Sequence, residues 1–190
     1  MKNNKNLLAF VLLILTGAAC RIFPMQPFGL MGFAPQLAMA LFGGAIIRDK
    51  KWAFALPIFS MLLSDLVFEG LFRTGYVKTP GFYEGQGLNY LFLMAITFVG
   101  IAMRRITIPR IAGASIAAPV LFFLASNFAT WAGHGGYNRP MTGSGLFQAY
   151  LDGVPFFYGS LAGTLFFSTV LFGVWYLMEA GSQRLSTSKA

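Results

Sequence analysis

Charged residues are scarce in this chain of 190 residues, at 11% of the total, whereas ordinary soluble domains carry about 25%. Hydrophobic residues make up 56%, and they include 21 Phe and 9 Met. A soluble protein of this size could not cover its surface with so few charges. We therefore predict an integral membrane protein, with residues 1–190 forming a single transmembrane domain.

Cysteine and histidine are equally scarce, with one residue of each. A lone cysteine, Cys20, excludes an intrachain disulfide and a Cys-rich metal site. A lone histidine, His134, excludes the multi-His sites of membrane di-iron enzymes and a bis-His haem within one chain. We expect no metal and no cofactor.

Motifs that specify a reaction are also missing. The sequence has no Gly-x-x-x-x-Gly-Lys-Ser/Thr motif, so any ATP hydrolysis would come from a partner. Five titratable side chains could in principle act as acids or bases in catalysis, but no spacing among them specifies a reaction. They are His134, Asp65, Glu69, Glu84 and Asp152. We do not expect an enzyme.

The formal net charge of +8 raises the question of nucleic-acid binding, since basic patches bind phosphate. Here, however, the basic residues sit in short clusters between apolar runs, as in the cytoplasmic loops of membrane proteins. We therefore expect the lipid bilayer as a partner and no nucleic acid.

Six apolar runs are long enough, or nearly so, for transmembrane helices, which need about 20 residues. They cover residues 7–23, 30–47, 52–68, 88–103, 111–131 and 155–178. Pro57 and Pro119 fall inside two of them, where neighbouring helices can satisfy the freed carbonyls. The predicted fold is all-α, a membrane bundle of six transmembrane helices.

The distribution of Lys and Arg predicts the orientation of this bundle. With the N-terminus inside, ten basic residues fall in cytoplasmic segments and four on the opposite side, which is a clear positive-inside bias. The ten are Lys2, Lys5, Arg48, Lys50, Lys51, Arg104, Arg105, Arg110, Arg184 and Lys189. Both termini are therefore expected in the cytoplasm.

The first run has an alternative interpretation as a cleavable lipoprotein signal, because it has a Lys-bearing start, an apolar core and small residues ending at Cys20. Such signals usually carry Leu three positions before the cysteine, where this chain has Gly17, and Arg21 follows directly. A retained first helix is the favoured interpretation.

Most of the polar side chains for which the sequence suggests no partner lie on the predicted outer side. Polar groups inside or at the outer ends of spans must face the bundle or a wet cavity, and the outer loops mix aromatics, amides and glycines, as small-molecule sites do. We expect a cavity floored by the second, third and sixth helices and covered by loops 69–87 and 132–152. Its predicted lining residues are Asp65, Asn89, Asn127, Trp131, His134, Tyr137, Asn138 and Asp152.

Two further features of the spans leave their roles open. Asp65 could instead pin the bundle through a salt bridge to Arg21 or Arg73, and Gln36, near the middle of the second span, could reach the same interior. Small residues recur at every fourth position of the second span, which allows close helix contacts. These contacts lie either within the chain or against another membrane subunit. The small residues are Ala34, Ala38, Ala40, Gly43, Gly44 and Ala45.

Two stretches of the chain carry a resemblance to known proteins. The stretch FAPQLAMALFGGAIIRDKKWAFALPIFSMLLSDLVFEG resembles the corresponding region of S components, the substrate-binding subunits of energy-coupling-factor vitamin transporters. The stretch SNFATWAGHGGYNRPMTGSGLFQAYLDGVPFFYGSLAGTLFFSTVLFG is similar to an uncharacterised family of small bacterial membrane proteins placed near those S components.

This resemblance implies an S-component-like fold in the bacterial cytoplasmic (inner) membrane, with a vitamin-sized ligand under the outer loops. It also implies an energising membrane and ATPase module as partner, docked through a helix with small residues at every fourth position. Ala34, Ala38 and Gly44 match that helix in part.

The leading functional hypothesis is therefore a membrane substrate-binding or transport protein for a small vitamin-like molecule. The alternative is a non-transport membrane subunit or assembly factor that acts through helix–helix contacts. The first predicts a cavity, whereas the second predicts an interface of small residues and no cavity.

Overall fold

The computed structural model describes residues 4–22, 31–103, 105–133 and 139–187. These ranges form six α-helices: α1 (Asn4–Ile22), α2 (Gln36–Ile46), α3 (Lys50–Arg73), α4 (Gln86–Ala102), α5 (Ile108–Ala132) and α6 (Gly143–Thr187). The predicted all-α class is confirmed.

Three of the helices are long and apolar enough to cross a membrane, namely Lys50–Arg73, Ile108–Ala132 and the Gly143–Ala180 part of α6. The remaining three are apolar but shorter. Many large hydrophobic side chains, such as Leu12 and Phe98, are exposed, as expected of a surface that faces lipid. Both observations support membrane association.

Helix α2 is the centre of the bundle, because it packs against α3, α4, α5 and α6. Its closest neighbour is α4, where two glycines allow the backbones to touch. A Cβ on Gly44 would lie 2.2 Å from the carbonyl oxygen of Thr97, and one on Gly100 would lie 2.4 Å from that of Leu41. Only glycine fits at these two positions.

The small residues of α2 are therefore used for packing within the chain. Ala38 and Ala40 have no exposed surface, and Gly43 and Gly44 are also buried. Gly43 lies against the carbonyl oxygen of Ala53, which is the group that Pro57 leaves without its helical partner in α3. Of the two roles left open by the sequence, the structure supports the internal one.

The second predicted span, 30–47, is not helical over residues 31–35, because the helix begins only at Gln36. Pro35 disfavours a helical conformation in the residue before it. The backbone of Phe33 and Ala34 instead packs against Gly163 of α6, and the Phe33 ring contacts Phe166 and Phe167. Residue 30 lies outside the described part of the chain.

The sixth predicted span, 155–178, lies within α6, which is longer and begins at Gly143. Thr142 starts the helix: its hydroxyl accepts a hydrogen bond from the Gly145 N–H (3.2 Å), and its carbonyl accepts one from the Leu146 N–H (3.0 Å). Pro155 is accommodated inside the helix. The predicted loop 132–152 is therefore much shorter, and Asp152 lies on α6.

The basic clusters between helices lie together at one end of the bundle. The start of α1 meets the start of α3 there, with the rings of Phe10 and Trp52 5.1 Å apart, and the end of α2 meets the end of α4 through Gly44 and Gly100. We call this the basic end, defined by Arg48, Lys50, Lys51, Arg105 and Arg110. Arg104 is outside the described residues.

Candidate functional site

A buried polar network lies at the end of the bundle opposite the basic end, and Asp65 is its hub. Asp65 has no exposed surface and forms an ion pair with Arg21 of α1. Its other carboxylate oxygen accepts hydrogen bonds from Gln86 Nε2 (2.5 Å) and the Tyr90 hydroxyl (2.6 Å). Three donors on two helices thus compensate this carboxylate, and the network joins α1, α3 and α4.

The network continues through Asn89 towards the loop before α4. The Asn89 Nδ2 group donates to Gln86 Oε1 (2.9 Å) and to the Tyr83 hydroxyl (2.8 Å). Partial burial raises the pKa of the Tyr83 phenol above its ordinary value. Gly81 of the same loop packs on the backbone of α3, where an added Cβ would lie 1.8 Å from the Asp65 carbonyl oxygen.

A cavity of about 740 Å³ lies beside the network, among α2, α3, α4, α5 and α6. Its volume falls in the range of small-molecule sites, about 300–1,000 Å³. Five phenylalanines contribute to the wall: Phe92, Phe122, Phe123, Phe156 and Phe157. Neutral polar side chains also line it: Gln36, Tyr83, Asn89, Ser126, Asn127, Thr130 and Ser160.

The charged residues of the cavity wall are Arg21 and Glu84. Arg21 is paired with Asp65, and Glu84 belongs to the exposed loop before α4. The wall is therefore dominated by aromatic rings, amides and hydroxyls. Such a lining suits an uncharged or weakly charged molecule that contains an aromatic ring.

Asn127 is held at the wall by α5 and α6 together. Its Nδ2 group donates to the Phe123 carbonyl one turn earlier (2.8 Å). Its amide packs on Gly153, where an added Cβ would lie 2.3 Å from Oδ1. The glycine in α6 thus provides the room for this side chain.

Gln36 is the amide at the start of α2. Its side chain is buried, with 7% of its surface exposed, and its Nε2 group donates to the Gly17 carbonyl of α1 at 3.4 Å. Its Oε1 atom is buried and has no hydrogen-bond donor among the residues that the structure describes.

The predicted site residues fall into three groups. Asn89 and Asn127 line the cavity, and Asp65 lies behind it in the polar network. Trp131 and Asp152 are not among the lining residues. His134, Tyr137 and Asn138 lie outside the described residues.

Trp131 on α5 and Asp152 on α6 both form hydrogen bonds with residues that precede α6. The Trp131 Nε1 group donates to the Pro140 carbonyl (3.0 Å). The Asp152 carboxylate accepts two hydrogen bonds from Arg139, at 2.9 and 3.0 Å. These contacts fix the segment that leads into α6.

Some residues of the site were not identified from the sequence, chiefly Gln86, Tyr90 and the phenylalanines of the wall. Gln86 and Tyr90 are four residues apart and so project from one helical face, towards Asp65. That spacing was a usable signal. The phenylalanines gave none, because 21 residues of this type are spread through the chain.

No metal centre is formed in the described ranges, where no three His, Cys, Asp or Glu side chains come together. Cys20 is a free, half-buried cysteine on α1.

Comparison with known proteins assigns the chain to a family. Residues 1–186 match the model of a family described as a family of unknown function (DUF6580), and the chain belongs to that family. No curated protein and no solved structure matches it.

Proposed function

We propose that this member of the family binds a small, vitamin-sized molecule in the cavity and carries it into the cell, as a membrane substrate-binding protein that resembles S components. The observation that carries the proposal is the cavity itself. It has the volume of a small-molecule site and is lined by aromatic rings with a few amides and hydroxyls, which is the usual composition of such sites.

The interruption before α2 supports a site inside the membrane. At 1.5 Å per residue, the 11 residues of α2 span only about 16 Å, roughly half of the hydrocarbon core of about 30 Å. The non-helical residues 31–35 precede it, and Gly32 and Ala34 line the cavity. Irregular backbone at membrane depth is tolerated where it is buried in protein or lines a cavity, and interrupted helices often form transporter sites.

In the proposed arrangement all six helices belong to the membrane bundle, and the basic end faces the cytoplasm. The cavity then opens towards the outer side, because it lies at the opposite end, among the starts of α2 and α4 and the end of α5. An energising membrane and ATPase module is the proposed partner. Since the small residues of α2 are buried within the chain, that module would contact a different surface.

The alternative, a subunit that acts only through helix–helix contacts, is less well supported. It predicts a surface of small residues and no cavity. The small residues of α2 instead face the other helices of the chain, and a half-open cavity of about 740 Å³ lies between the helices.

Native mass spectrometry of the purified protein tests the proposal. We expect the wild-type protein to retain a small molecule from the cells, and we expect Ser126→Phe to lose it, because Ser126 lines the cavity and a phenyl ring would fill part of it. The matched control on α5 is Leu121→Phe, at a side chain that is 47% exposed and does not line the cavity. Equal occupancy in all three proteins, or none in the wild type, would contradict the proposal.

A further inference from the structure

Arg21 is the cation of the described cavity wall, and its pairing with Asp65 occupies only part of its guanidinium group. We infer that the ligand is an aromatic acid whose single carboxylate binds the remaining edge of this guanidinium, next to the Tyr83 hydroxyl. This inference rests on the proposed function and names the substrate class of the same site.

The Arg21 guanidinium is held at one end and on one face. Its Nη1 atom forms the ion pair with Asp65 and also lies 2.5 Å from Ser64 Oγ and 3.5 Å from the Met61 carbonyl oxygen. Its central carbon lies 5.5 Å from the centre of the Phe68 ring, in a cation–π contact. These contacts fix the orientation of the group before any ligand binds.

The remaining edge consists of Nε and Nη2. In a guanidinium, Nε–H and the neighbouring Nη2–H form a planar fork that binds a carboxylate through two parallel hydrogen bonds. Neither atom has an acceptor among the described residues, because the hydrogen bonds of Arg21 all start from Nη1.

This edge is accessible at the cavity wall. In the described ranges, the fully buried side-chain atoms without a partner are Gln36 Oε1 and three serine hydroxyls. The Arg21 nitrogens are not among them, and its side chain is 22% exposed. Arg21 lines the cavity together with Met61, the residue that its guanidinium contacts. The fork is therefore available to a ligand in the cavity.

Tyr83 supplies a second donor beside Arg21. Its hydroxyl accepts a hydrogen bond from Asn89 Nδ2 (2.8 Å), and since an amide nitrogen can only donate, the phenol proton remains available. Burial raises the pKa of Tyr83, and the positive charge of nearby Arg21 opposes this rise. Because Tyr83 also lines the cavity, one carboxylate can accept hydrogen bonds from both side chains.

The charges around the cavity are compatible with one carboxylate and not with two. The Asp65 charge is shared with two neutral donors, Gln86 and Tyr90, so Arg21 is not its sole partner. Glu84, the other charged residue of the wall, lies on an exposed loop, where water and salt weaken its repulsion. A second carboxylate would have no further cation in the described wall and would meet the phenylalanines.

Two probes of the same shape test the inference: 2-naphthoate and its uncharged counterpart 2-naphthamide. Binding to the full-length protein in nanodiscs of zwitterionic lipid is measured at neutral pH by ligand-observed NMR titration, with empty nanodiscs as the blank. We expect naphthoate to bind at least about tenfold more tightly, since charge-assisted hydrogen bonds are stronger than neutral ones.

The variant Arg21→Lys tests the assignment to this residue, because Lys keeps a positive charge for Asp65 but lacks the planar fork. We expect the preference for naphthoate over naphthamide to fall to about threefold or less. The ratio is measured within one protein sample, so it does not depend on the fraction that is folded. The matched control is Arg73→Lys, at an arginine that is 76% exposed and paired with Glu69. It should keep the full preference.

Tyr83→Phe removes the second donor and leaves the ring in place. We expect it to lower the preference for naphthoate by about threefold or more, as the loss of one hydrogen bond to a charged group predicts.

Three results with the wild type would overturn the inference: equal binding of the two probes, tighter binding of naphthamide, or no binding of either. A full preference in Arg21→Lys, or an equal loss in Arg73→Lys, would overturn it as well, and a full preference in Tyr83→Phe would refute the second contact. If native mass spectrometry finds a copurified molecule and any of these results is obtained, the proposed function stands and the carboxylate assignment alone fails.

Discussion

Asp65 is a residue whose role the structure decides and the sequence does not. A carboxylate within an apolar helix is either a ligand contact or a buried ion pair, and the sequence alone does not separate the two. The structure does so through contacts: Asp65 is fully buried, bonded to Arg21, Gln86 and Tyr90, and absent from the cavity wall. Its role is to hold α1, α3 and α4 together behind the site.

The expected consequence is a loss of stability when the pair is broken. We expect Asp65→Asn to lower the free energy of unfolding in detergent by about 2 to 4 kcal/mol, because it leaves the Arg21 charge without its partner. Adding Arg21→Met should recover part of the loss. The control is Glu69→Gln, which weakens the pair between Glu69 and the largely exposed Arg73 and should cost clearly less stability, because solvent screens such a pair. Equal losses for the two single variants would refute the assigned role.

The other polar residues that the sequence singled out lie in two different places. Asn89 and Asn127 were identified because an amide in an apolar helix must find a polar surrounding, and both line the cavity. The same argument selected Trp131 and Asp152, whose partners are Pro140 and Arg139 in the segment leading into α6. Which partner a polar group finds depends on the packing of the helices, and a single sequence does not contain it.

At the scale of elements, the long helices were predictable and the central one was not. A run of about 20 apolar residues is enough to recognise α3 or α5. Residues 30–47 are just as apolar, yet the helix occupies only Gln36–Ile46. Pro35 marked the break, but its effect depends on α6, whose glycines accept the backbone of residues 31–34.

The contact between α2 and α4 leaves no room for a side chain at Gly100. We expect Gly100→Ala to destabilise the protein by about 2 to 3 kcal/mol, since the added methyl group would lie 2.4 Å from the Leu41 carbonyl oxygen and would force the helices apart. Gly113→Ala on α5 is the matched control, because a Cβ there has no neighbour within 4 Å. It should be neutral or stabilise by about 0.5 to 1 kcal/mol. Thermal unfolding in detergent compares the two, and similar melting temperatures would argue against the close α2–α4 contact.

At the scale of the whole molecule, charge and polarity are separated along the bundle. The basic end holds short turns, whereas the opposite end holds the Asp65 network and the cavity. The first half of this pattern is visible in the sequence as the ten-to-four distribution of Lys and Arg. The concentration of polar residues also led us to expect a cavity at the opposite end, but most of the residues that line it depend on how six helices pack and are not visible in the sequence.

In the proposed orientation, the cavity is open to the outer side of a membrane and the basic end faces the cytoplasm. Cysteine labelling of intact cells with a small membrane-impermeant thiol reagent, on a Cys20→Ala background, distinguishes the two sides. We expect Ser126→Cys, at the cavity wall, to react from outside and Arg105→Cys, at the basic end, to react only after the cells are opened. Labelling of position 105 from outside, or of position 126 only in opened cells, would contradict this orientation.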